Sequence, residues 1–265
     1  MPPPLLSNLP TNIVEIAHYG LTGMVNNAVD HSDGERLSIT ASIEDGVASL
    51  GVSDDGVGIF RKIAAALALP DDRLAPLELA KGKFTTDPQR HPGEGVFFTS
   101  KIFDVFEIVS RGLTFDHRSG TDKNVPLEAH PGRTRSGTTI ITSIAADSTR
   151  TLEQVFAAFS SGPDDYGFAK TIVPVKLARI GDESLMSRSQ AKRPLQRVGR
   201  FQHVVLDFAG VAVIGPAFAD QVFRVFANER PDIELIAIHA TPEVQQTIRR
   251  AEIARDEQSR GEQRT

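Results

Sequence analysis

The stretch LSITASIEDGVASLGVSDDGVG, residues 37–58, decides the fold of the N-terminal half of the chain. Apolar and polar residues alternate over 37–43 and again over 47–52, which predicts two β-strands. The sequence between them, Glu44-Asp45-Gly46, is typical of a turn, so we expect the two strands to pair antiparallel. Directly after the second strand comes the acidic, glycine-bearing segment DDGVG, residues 54–58.

Helices and further strands are predicted on both sides of this hairpin. Residues 12–31 carry apolar side chains at helical spacing and end at Ser32-Asp33-Gly34. Downstream, the patterns predict helices over 59–69, 96–103 and 151–159, strands over 105–110 and 138–144, and a polar, proline-bearing loop over 70–92. A loop of that length inside a compact domain is usually a lid or a disordered segment.

A second block of alternating strands and helices follows a linker-like stretch, residues 160–165. Strands are predicted over 172–177, 204–208 and 234–238, and helices over 187–195, 217–228 and 242–251. Such alternation indicates a partly parallel sheet covered by helices, so the fold class is α/β. We expect one domain over 1–150, a connecting helix and linker over 151–165, a second domain over 166–252, and a disordered tail over 253–265.

Composition narrows the classes of function. The 265-residue chain has a net charge of −5, which gives no overall basic field for nucleic acid. It contains no cysteine, which excludes disulfides and thiolate metal sites. No apolar run approaches the roughly 20 residues of a membrane span, and the N-terminus does not resemble a signal peptide. We therefore expect a cytoplasmic protein without membrane contact.

Polar residues on the first helix form one candidate site. Gly23, Asn27 and Asp30 or His31 follow one another at spacings of three or four, so they share a helix face. An asparagine carbonyl oxygen is a hard neutral ligand suited to Mg²⁺, which keeps several waters and phosphate oxygens. An isolated asparagine is more often a surface or capping amide, and this alternative stays open.

Three other segments combine glycine with polar side chains. Asp54, at a strand end, suits the amino group of an adenine, and Gly56 and Gly58 allow close backbone approach. Gly93-Glu94-Gly95 precedes a helix whose N-terminus would attract phosphate. At Gly137-Thr138, the hydroxyl would bind phosphate or the Asp54 carboxylate. Each of these segments alone is also compatible with an ordinary turn.

In order and context the four segments resemble the N box, G1 box, G2 box and final Gly-Thr of the GHKL, or Bergerat-fold, superfamily, which includes gyrase B, histidine kinases and anti-sigma serine kinases. The resemblance covers residues 12–146 and rests on 24–31 (MVNNAVDH), 54–58, 93–95 and 137–138. It implies an α/β sandwich that binds ATP and Mg²⁺. Asn27 would bind Mg²⁺, Asp54 adenine, and the G2 glycines with Thr138 the phosphates. Residues 70–92 would form the ATP lid, in which Lys81 and Lys83 either meet phosphate or are solvated. The implied ATP-binding residues are Asn27, Asp30, His31, Asp54, Gly56, Gly58, Lys83, Gly93, Gly95, Val96 and Thr138.

One departure from the superfamily pattern concerns catalysis. Hydrolytic members place a general-base glutamate four residues before the Mg²⁺ asparagine, and this chain has Gly23 there. Glycine offers no proton acceptor and costs about 1 kcal/mol relative to alanine inside a helix. Gly20 lies one turn earlier, and the sequence suggests no packing reason for either glycine. Glu15, Asp30 and Glu94 are possible substitutes, although none stands at that helix position.

The second block resembles a STAS domain over residues 166–252. The resemblance rests on 204–211 (VVLDFAGV), followed by Ile214, and more closely on 187–193 (SRSQAKR) and 214–220 (IGPAFAD), which resemble the STAS-like domain fused to GHKL modules in bacterial proteins. Partner-switching STAS proteins carry a phosphorylatable serine after the central strand, but residues 209–220 hold no Ser, Thr or Tyr. The basic run over 187–193 suggests a site for an anion or nucleic acid or, more simply, a solvated helix face.

Together these patterns predict an ATP-dependent regulatory switch with little or no hydrolysis, acting on a protein partner or as a homodimer. Two alternatives remain: an active ATPase or serine kinase that uses another base, and a non-enzymatic STAS-like interaction module with a vestigial nucleotide pocket.

Overall fold

The computed structural model describes residues 9–84, 93–119, 136–162 and 165–262. It confirms the α/β class, with an antiparallel sheet in one part of the chain and a parallel sheet in the other. The chain divides into two compact units, Met1–Ala158 and Phe159–Thr265. None of the helices in the described ranges combines the length and apolarity that a bilayer span requires.

The first unit contains a five-stranded antiparallel sheet in the order β1-β2-β5-β3-β4. Its strands are β1 (Leu37–Glu44), β2 (Val47–Asp54), β3 (Val105–Ser110), β4 (Leu113–Arg118) and β5 (Thr138–Ala145). The predicted hairpin is confirmed, since β1 pairs antiparallel with β2 from Leu37↔Asp54 to Glu44↔Val47. The alternation of the sequence matches one buried face, on which β2 contributes Ala48, Leu50 and Val52.

Helices of the first unit are α1 (Thr11–His31), α2 (Ile59–Ala66), α3 (Ala75–Lys81), α4 (Gly95–Ile102) and α5 (Leu152–Ala157). The long helix α1 packs against β2 and α4. Its apolar face is buried, with Ile13 and Ile16 fully enclosed. This packing fixes α1 relative to the sheet, and the candidate site residues Gly23, Asn27 and His31 are half-buried beside its buried face.

Part of the predicted lid is a buried helix. Within residues 70–92, a 3₁₀ turn (Asp72–Leu74) leads into α3, all seven residues of which are buried. The charged residues Glu78 and Lys81 hid this burial from the sequence pattern, since such residues are rarely inside unless paired. The remainder of the predicted lid, residues 85–92, lies outside the described residues.

The second unit is built on a three-stranded parallel sheet in the order β10-β9-β8. Preceding it is an antiparallel ribbon of β6 (Ser160–Gly162) and β7 (Asp165–Phe168), where the sequence predicted a linker. The sheet strands are β8 (Lys170–Pro174), β9 (His203–Asp207) and β10 (Glu234–Ile238). The expectation of parallel pairing is confirmed by the registers of β8 with β9 and of β10 with β9.

Its helices are α6 (Arg188–Leu195), α7 (Pro216–Ala219), α8 (Ala227–Glu229) and α9 (Pro242–Glu262), and a π-helical segment, Asp220–Phe226, joins α7 to α8. A capping box forms at the start of α6, where the Ser187 side chain accepts a hydrogen bond from the backbone N–H of Gln190. The Gln190 side chain in turn accepts a hydrogen bond from the backbone N–H of Ser187. The predicted disordered tail is wrong over 253–262, because α9 continues to Glu262. Val244, Ile248 and Ala251 are buried and anchor the first turns of α9. The later turns are polar and continue the same helix.

Candidate functional site

A cavity of about 320 Å³ lies in the first unit between α1, the loops around Gly93 and the sheet. Four separate stretches of the sequence supply its walls: α1, the end of β2 with α2, the chain on either side of residues 85–92, and the start of β5. The lining residues are Tyr19, Gly23, Met24, Asn26, Asn27, Ala28, His31, Ser32, Val52, Asp54, Ile59, Lys62, Ile63, Leu79, Phe84, Gly93, Glu94, Gly95, Val96, Thr138 and Ile140.

Most of the site residues that the sequence singled out lie together in this cavity. Those that line it are Gly23, Asn27, His31, Asp54, Gly93, Gly95, Val96 and Thr138. Asp30, Gly56, Gly58 and Lys83 are not lining residues. Asp30 is exposed and His31 is half-buried. Three residues after Asn27 the helix is about 60° short of a full turn, whereas four residues after it the helix is only about 40° past one, so His31 lies closer to the direction of Asn27.

Helix α1 forms one wall of the cavity from Tyr19 to Ser32, a length of roughly 20 Å at 1.5 Å per residue. At its C-terminal end the carbonyl of Ser32 accepts a hydrogen bond from Val57 N over 2.8 Å, so this end meets the loop after β2. Tyr19, near the other end, lies close enough to Glu94 for the negative charge of Glu94 to contribute to the raised pKa of Tyr19. The cavity therefore runs from the Asp54 loop to the Gly93 loop, with Asn27 in between.

The two glycines of α1, Gly20 and Gly23, have different surroundings. A β-carbon added at Gly20 would overlap the ring of Phe103, so Gly20 permits the close packing of α1 on the chain after α4. A β-carbon at Gly23 would have nothing nearer than Thr99 Oγ1, at 3.8 Å, among the described residues. The expectation that neither glycine has a packing reason is therefore wrong for Gly20, and Gly23 leaves open space beside the cavity.

Asp54 ends β2 with one carboxylate oxygen committed to the fold. Its Oδ1 accepts hydrogen bonds from Gly56 N over 3.0 Å and from Thr138 N over 3.2 Å. Its Oδ2 accepts none from any residue that the structure describes. Burial raises the pKa of Asp54 and outweighs the two backbone hydrogen bonds that lower it. The carboxylate is thus partly desolvated and has one oxygen available to a ligand.

Thr138 belongs to the Asp54 end of the cavity. Besides the backbone hydrogen bond to Asp54, its Oγ1 accepts a hydrogen bond from Ile59 N, at the start of α2, over 2.9 Å. These contacts favour the reading in which Thr138 supports the acidic residue over the one in which it holds phosphate. Thr138 therefore links three elements. It begins β5, its backbone N–H binds Asp54 at the end of β2, and its hydroxyl binds Ile59 at the start of α2.

Gly56 of the DDGVG segment and Gly137 before β5 shape the loop and are not among the residues that line the cavity. A β-carbon at Gly56 would overlap the carbonyl oxygen of Ser32, and one at Gly137 would overlap the carbonyl oxygen of Asp54. Gly137 also has φ of +86°, a backbone conformation that favours glycine. Both glycines therefore serve close backbone packing that holds Asp54 in place.

Asn27 offers an amide to the middle of the cavity. The residue is half-buried, and its side chain makes no hydrogen bond within the described ranges. Among these same residues, no three His, Asp or Glu side chains cluster in a way that would hold a metal ion. A cation at Asn27 would therefore need ligand oxygens from a bound anion and water, which is the coordination typical of Mg²⁺ with a nucleotide.

The Gly93 end of the cavity joins the two ends of the segment 85–92. A β-carbon at Gly93 would lie 2.5 Å from the carbonyl carbon of Phe84, so the chain enters and leaves this segment at one place. Gly95 begins α4 and has open space at its α-carbon, with nothing described within 4 Å of a β-carbon there. The first N–H groups of an α-helix have no partner within the helix, so this end suits an anion.

Three titratable groups gather at the same end. Burial raises the pKa of Glu94, and the charge of Lys83 opposes that rise. Burial, reinforced by the negative charge of Glu94, raises the pKa of Tyr19 to about 12. Lys81, the other lysine of the predicted lid, is not solvated: its Nζ pairs with Glu78 Oε1 over 2.6 Å, and both side chains are buried.

Several lining residues were not predicted from the sequence. Val52, Ile59, Ile63 and Ile140 give the cavity an apolar wall, but in the sequence they only continue strand and helix patterns. Lys62 was also missed; its Nζ binds the carbonyl of His31 over 2.6 Å and Asp33 Oδ2 over 2.9 Å, which ties α2 to the end of α1. Tyr19 could have been found, because it lies one helical turn before Gly23.

In the second unit the chain after β9 provides no hydroxyl. Residues 209–220 contain no Ser, Thr or Tyr, and α7 begins within them at Pro216. A β-carbon at Gly215 would lie 2.6 Å from the carbonyl oxygen of Met186, so this turn packs tightly on the chain before α6. The basic run is partly neutralised, since Arg188 pairs with Asp220 and Arg193 with Glu183. It therefore resembles a solvated helix face more than an anion site.

Comparison with known proteins assigns part of the chain. A search of the curated proteins found no match. Residues 188–245 match a family model described as a STAS-like domain of unknown function (DUF4325). The matched range begins with α6, includes β9 and β10 and ends in the first turn of α9. The C-terminal unit of this chain therefore contains a STAS-like domain.

Proposed function

We propose that the protein binds Mg-ATP in the cavity of its first unit and acts as a GHKL-type regulatory switch with little or no ATP hydrolysis. One observation carries the proposal. Segments that are far apart in sequence, and that separately resemble the GHKL boxes, contribute Asn27, Asp54, Gly93 to Val96 and Thr138 to the same cavity.

The lining chemistry supports an adenine at the Asp54 end. Oδ2 of Asp54 would accept a hydrogen bond from the amino group of the base, while Thr138 and Gly56 hold Oδ1. Val52, Ile63 and Ile140 provide an apolar surface for the ring. A buried polar group that recognises one hydrogen-bonding pattern discriminates strongly against ligands that lack it.

Phosphates fit the opposite end, where the N-terminus of α4 lies. The N–H groups of Gly95 and its neighbours would face them, with the positive end of the helix dipole. Asn27, between the two ends, would hold Mg²⁺ through its amide oxygen. A bound Mg²⁺ supplies charge neutralisation along the phosphates.

Weak hydrolysis is expected because no side chain extends from position 23. A positioned general base contributes about 10²–10⁴-fold to such a reaction. The open space beside Gly23 argues that the missing side chain is a catalytic difference and not a packing requirement. Nucleotide occupancy would then last long enough to serve as a signal.

The STAS-like unit would carry this signal to a protein partner or to a second copy of the chain. Residues 209–220 offer no hydroxyl to a kinase, so an interaction surface is the favoured role. An active ATPase is the second candidate function, favoured by the presence of the Glu94 carboxylate in the cavity.

Intrinsic tyrosine fluorescence tests the binding. The chain has two tyrosines and no tryptophan, and Tyr19 lines the cavity. Titration with ATP should change the emission of the full chain with Mg²⁺ far more strongly than with EDTA, and Tyr19→Phe should lose this change. Parallel turnover assays should show slow release of phosphate by the unaltered chain and a rise of about 10²–10⁴-fold in Gly23→Glu. Absence of binding would refute the proposal.

A further inference from the structure

Glu94 lines the cavity of the first unit. Glu94 stands at the N-cap position of α4 but makes no side-chain cap, and no described residue donates a hydrogen bond to its carboxylate. It is half-buried. A carboxylate that is not used by the fold and is partly removed from water is a candidate for chemistry in the cavity.

The interaction of Glu94 with Tyr19 places Glu94 near α1. Its charge acts on Tyr19, which stands one helical turn before Gly23, while Gly23 stands one turn before Asn27. All four residues line the same cavity. The space that Gly23 leaves open is therefore one helical turn from Tyr19, and Glu94, in the loop before α4, lines the same cavity as both.

We propose that Glu94 is the general base for slow ATP hydrolysis in this protein, acting from the G2 loop in place of a side chain at position 23. This inference rests on the proposed ATP binding. Glu94 would take a proton from a water molecule as the water oxygen bonds to the γ-phosphorus and the bond from that phosphorus to the bridging oxygen of ADP breaks. The products are ADP and phosphate, and the protonated Glu94 returns its proton to solvent.

The local electrostatics suit this role. Desolvation raises the pKa of the Glu94 carboxyl and makes its carboxylate a stronger base than an exposed glutamate, and the positive charge of Lys83 opposes part of this rise. Glu15 and Asp30, the other acidic candidates from the sequence, do not line the cavity. The weak activity follows from a base held by a loop and not by a rigid helix.

Phosphate release by the full chain tests the assignment. Glu94→Gln should keep ATP affinity within about threefold but lower turnover at least tenfold, and the low-pH limb of the rate profile should disappear. Glu153→Gln, an exposed glutamate in the first turn of α5, is the matched control and should leave turnover unchanged. Gly23→Glu combined with Glu94→Gln should regain turnover, which shows that the variant folds and binds. Asp54→Asn, assayed at an ATP concentration well below its own weakened Kd, measures the background.

A second readout does not need ATP. Ultraviolet titration of tyrosinate follows Tyr19, whose pKa burial raises to about 12, and Tyr166→Phe removes the signal of the other tyrosine. Glu94→Gln should lower the pKa of Tyr19, which confirms their proximity. Turnover of the unaltered chain no higher than the Asp54→Asn background, or undiminished turnover in Glu94→Gln, overturns the inference while leaving ATP binding intact. Failure of the chain to bind ATP in the fluorescence titration overturns both.

Discussion

The backbone N–H of Thr138 donates a hydrogen bond to Asp54 Oδ1 over 3.2 Å, across a sequence separation of 84 residues. Gly56 N donates to the same oxygen. These bonds leave the second oxygen of the carboxylate for a ligand, and they determine which substitution probes binding without disturbing the loop. Asparagine keeps an accepting oxygen for the two backbone groups but presents an amide N–H₂ where the adenine amino group would donate.

Asp54→Asn should therefore weaken ATP binding by about 10–100-fold without loss of stability at pH 7, because a hydrogen bond to a charged group contributes about 1.5–3 kcal/mol to binding. Fluorescence titration and thermal unfolding measure the two effects. Asp55→Asn is the control: Asp55 binds Glu35 N and Arg36 N outside the cavity, so ATP affinity should be unchanged. Equal affinities of Asp54→Asn and the unaltered chain would remove the adenine assignment.

Asn27→Ala should abolish the dependence of ATP binding on Mg²⁺. Its amide lines the cavity, and an alanine there provides no oxygen ligand. Asn26→Ala is the matched control, since Asn26 also lines the cavity but is more exposed and lies about 100° away around the helix. Titrations with Mg²⁺ and with EDTA should coincide for Asn27→Ala and differ for Asn26→Ala. A Mg²⁺ effect that persists in Asn27→Ala would contradict the proposed metal ligand.

The two glycines of α1 should respond oppositely to alanine. Gly23→Ala should raise the free energy of unfolding by about 0.5–1 kcal/mol, because the position is open and alanine favours helix. Gly20→Ala should lower it by about 1–3 kcal/mol, because the new β-carbon meets the Phe103 ring. Urea unfolding of the two variants provides the comparison, and a loss of stability in Gly23→Ala would show that the space beside Gly23 is needed for packing.

The stability of Asp54→Asn relative to the unaltered chain should depend on pH. The pKa of Asp54 is raised in the folded state by burial, so the stabilising contribution of this group is complete below its unfolded pKa and is lost as the pH rises through the folded value. The unaltered chain therefore carries a desolvation cost at pH 7 that asparagine does not. Urea unfolding from pH 7 downwards should show the advantage of the asparagine variant shrinking as Asp54 becomes protonated. An advantage that grows instead would mean that the pKa is lowered.

Hydrogen exchange with and without Mg-ATP tests communication between the units. We expect protection around the cavity in the first unit and a change at amides of the STAS-like unit beyond Phe159. Asp54→Asn, at the same nucleotide concentration, should show neither change. Protection that stops before Phe159 would mean that the second unit does not respond to nucleotide, which rules out the switch.

The sequence by itself determined the α/β class, the pairing of β1 with β2 and the parallel pairing in the second unit. It did so because the alternation of a strand and the residue types of a turn depend only on residues that are close together in the sequence. It also singled out Asp54, Gly93 and Thr138, because a loop that follows a strand or precedes a helix is visible from the pattern, and Asn27, because of its helix face and the resemblance to the GHKL boxes.

Only the tertiary structure decided the roles that depend on distant neighbours. The Phe103 ring, which leaves no room for a β-carbon at position 20, explains Gly20. Lys81 pairs with Glu78 inside a buried helix, in a stretch that the sequence predicted to be a lid. The tertiary structure brought Tyr19 and Glu94 to one end of the cavity, and it extended the last helix to Glu262. Burial, desolvation and free space result from packing between segments far apart in the chain, and no local pattern contains that information.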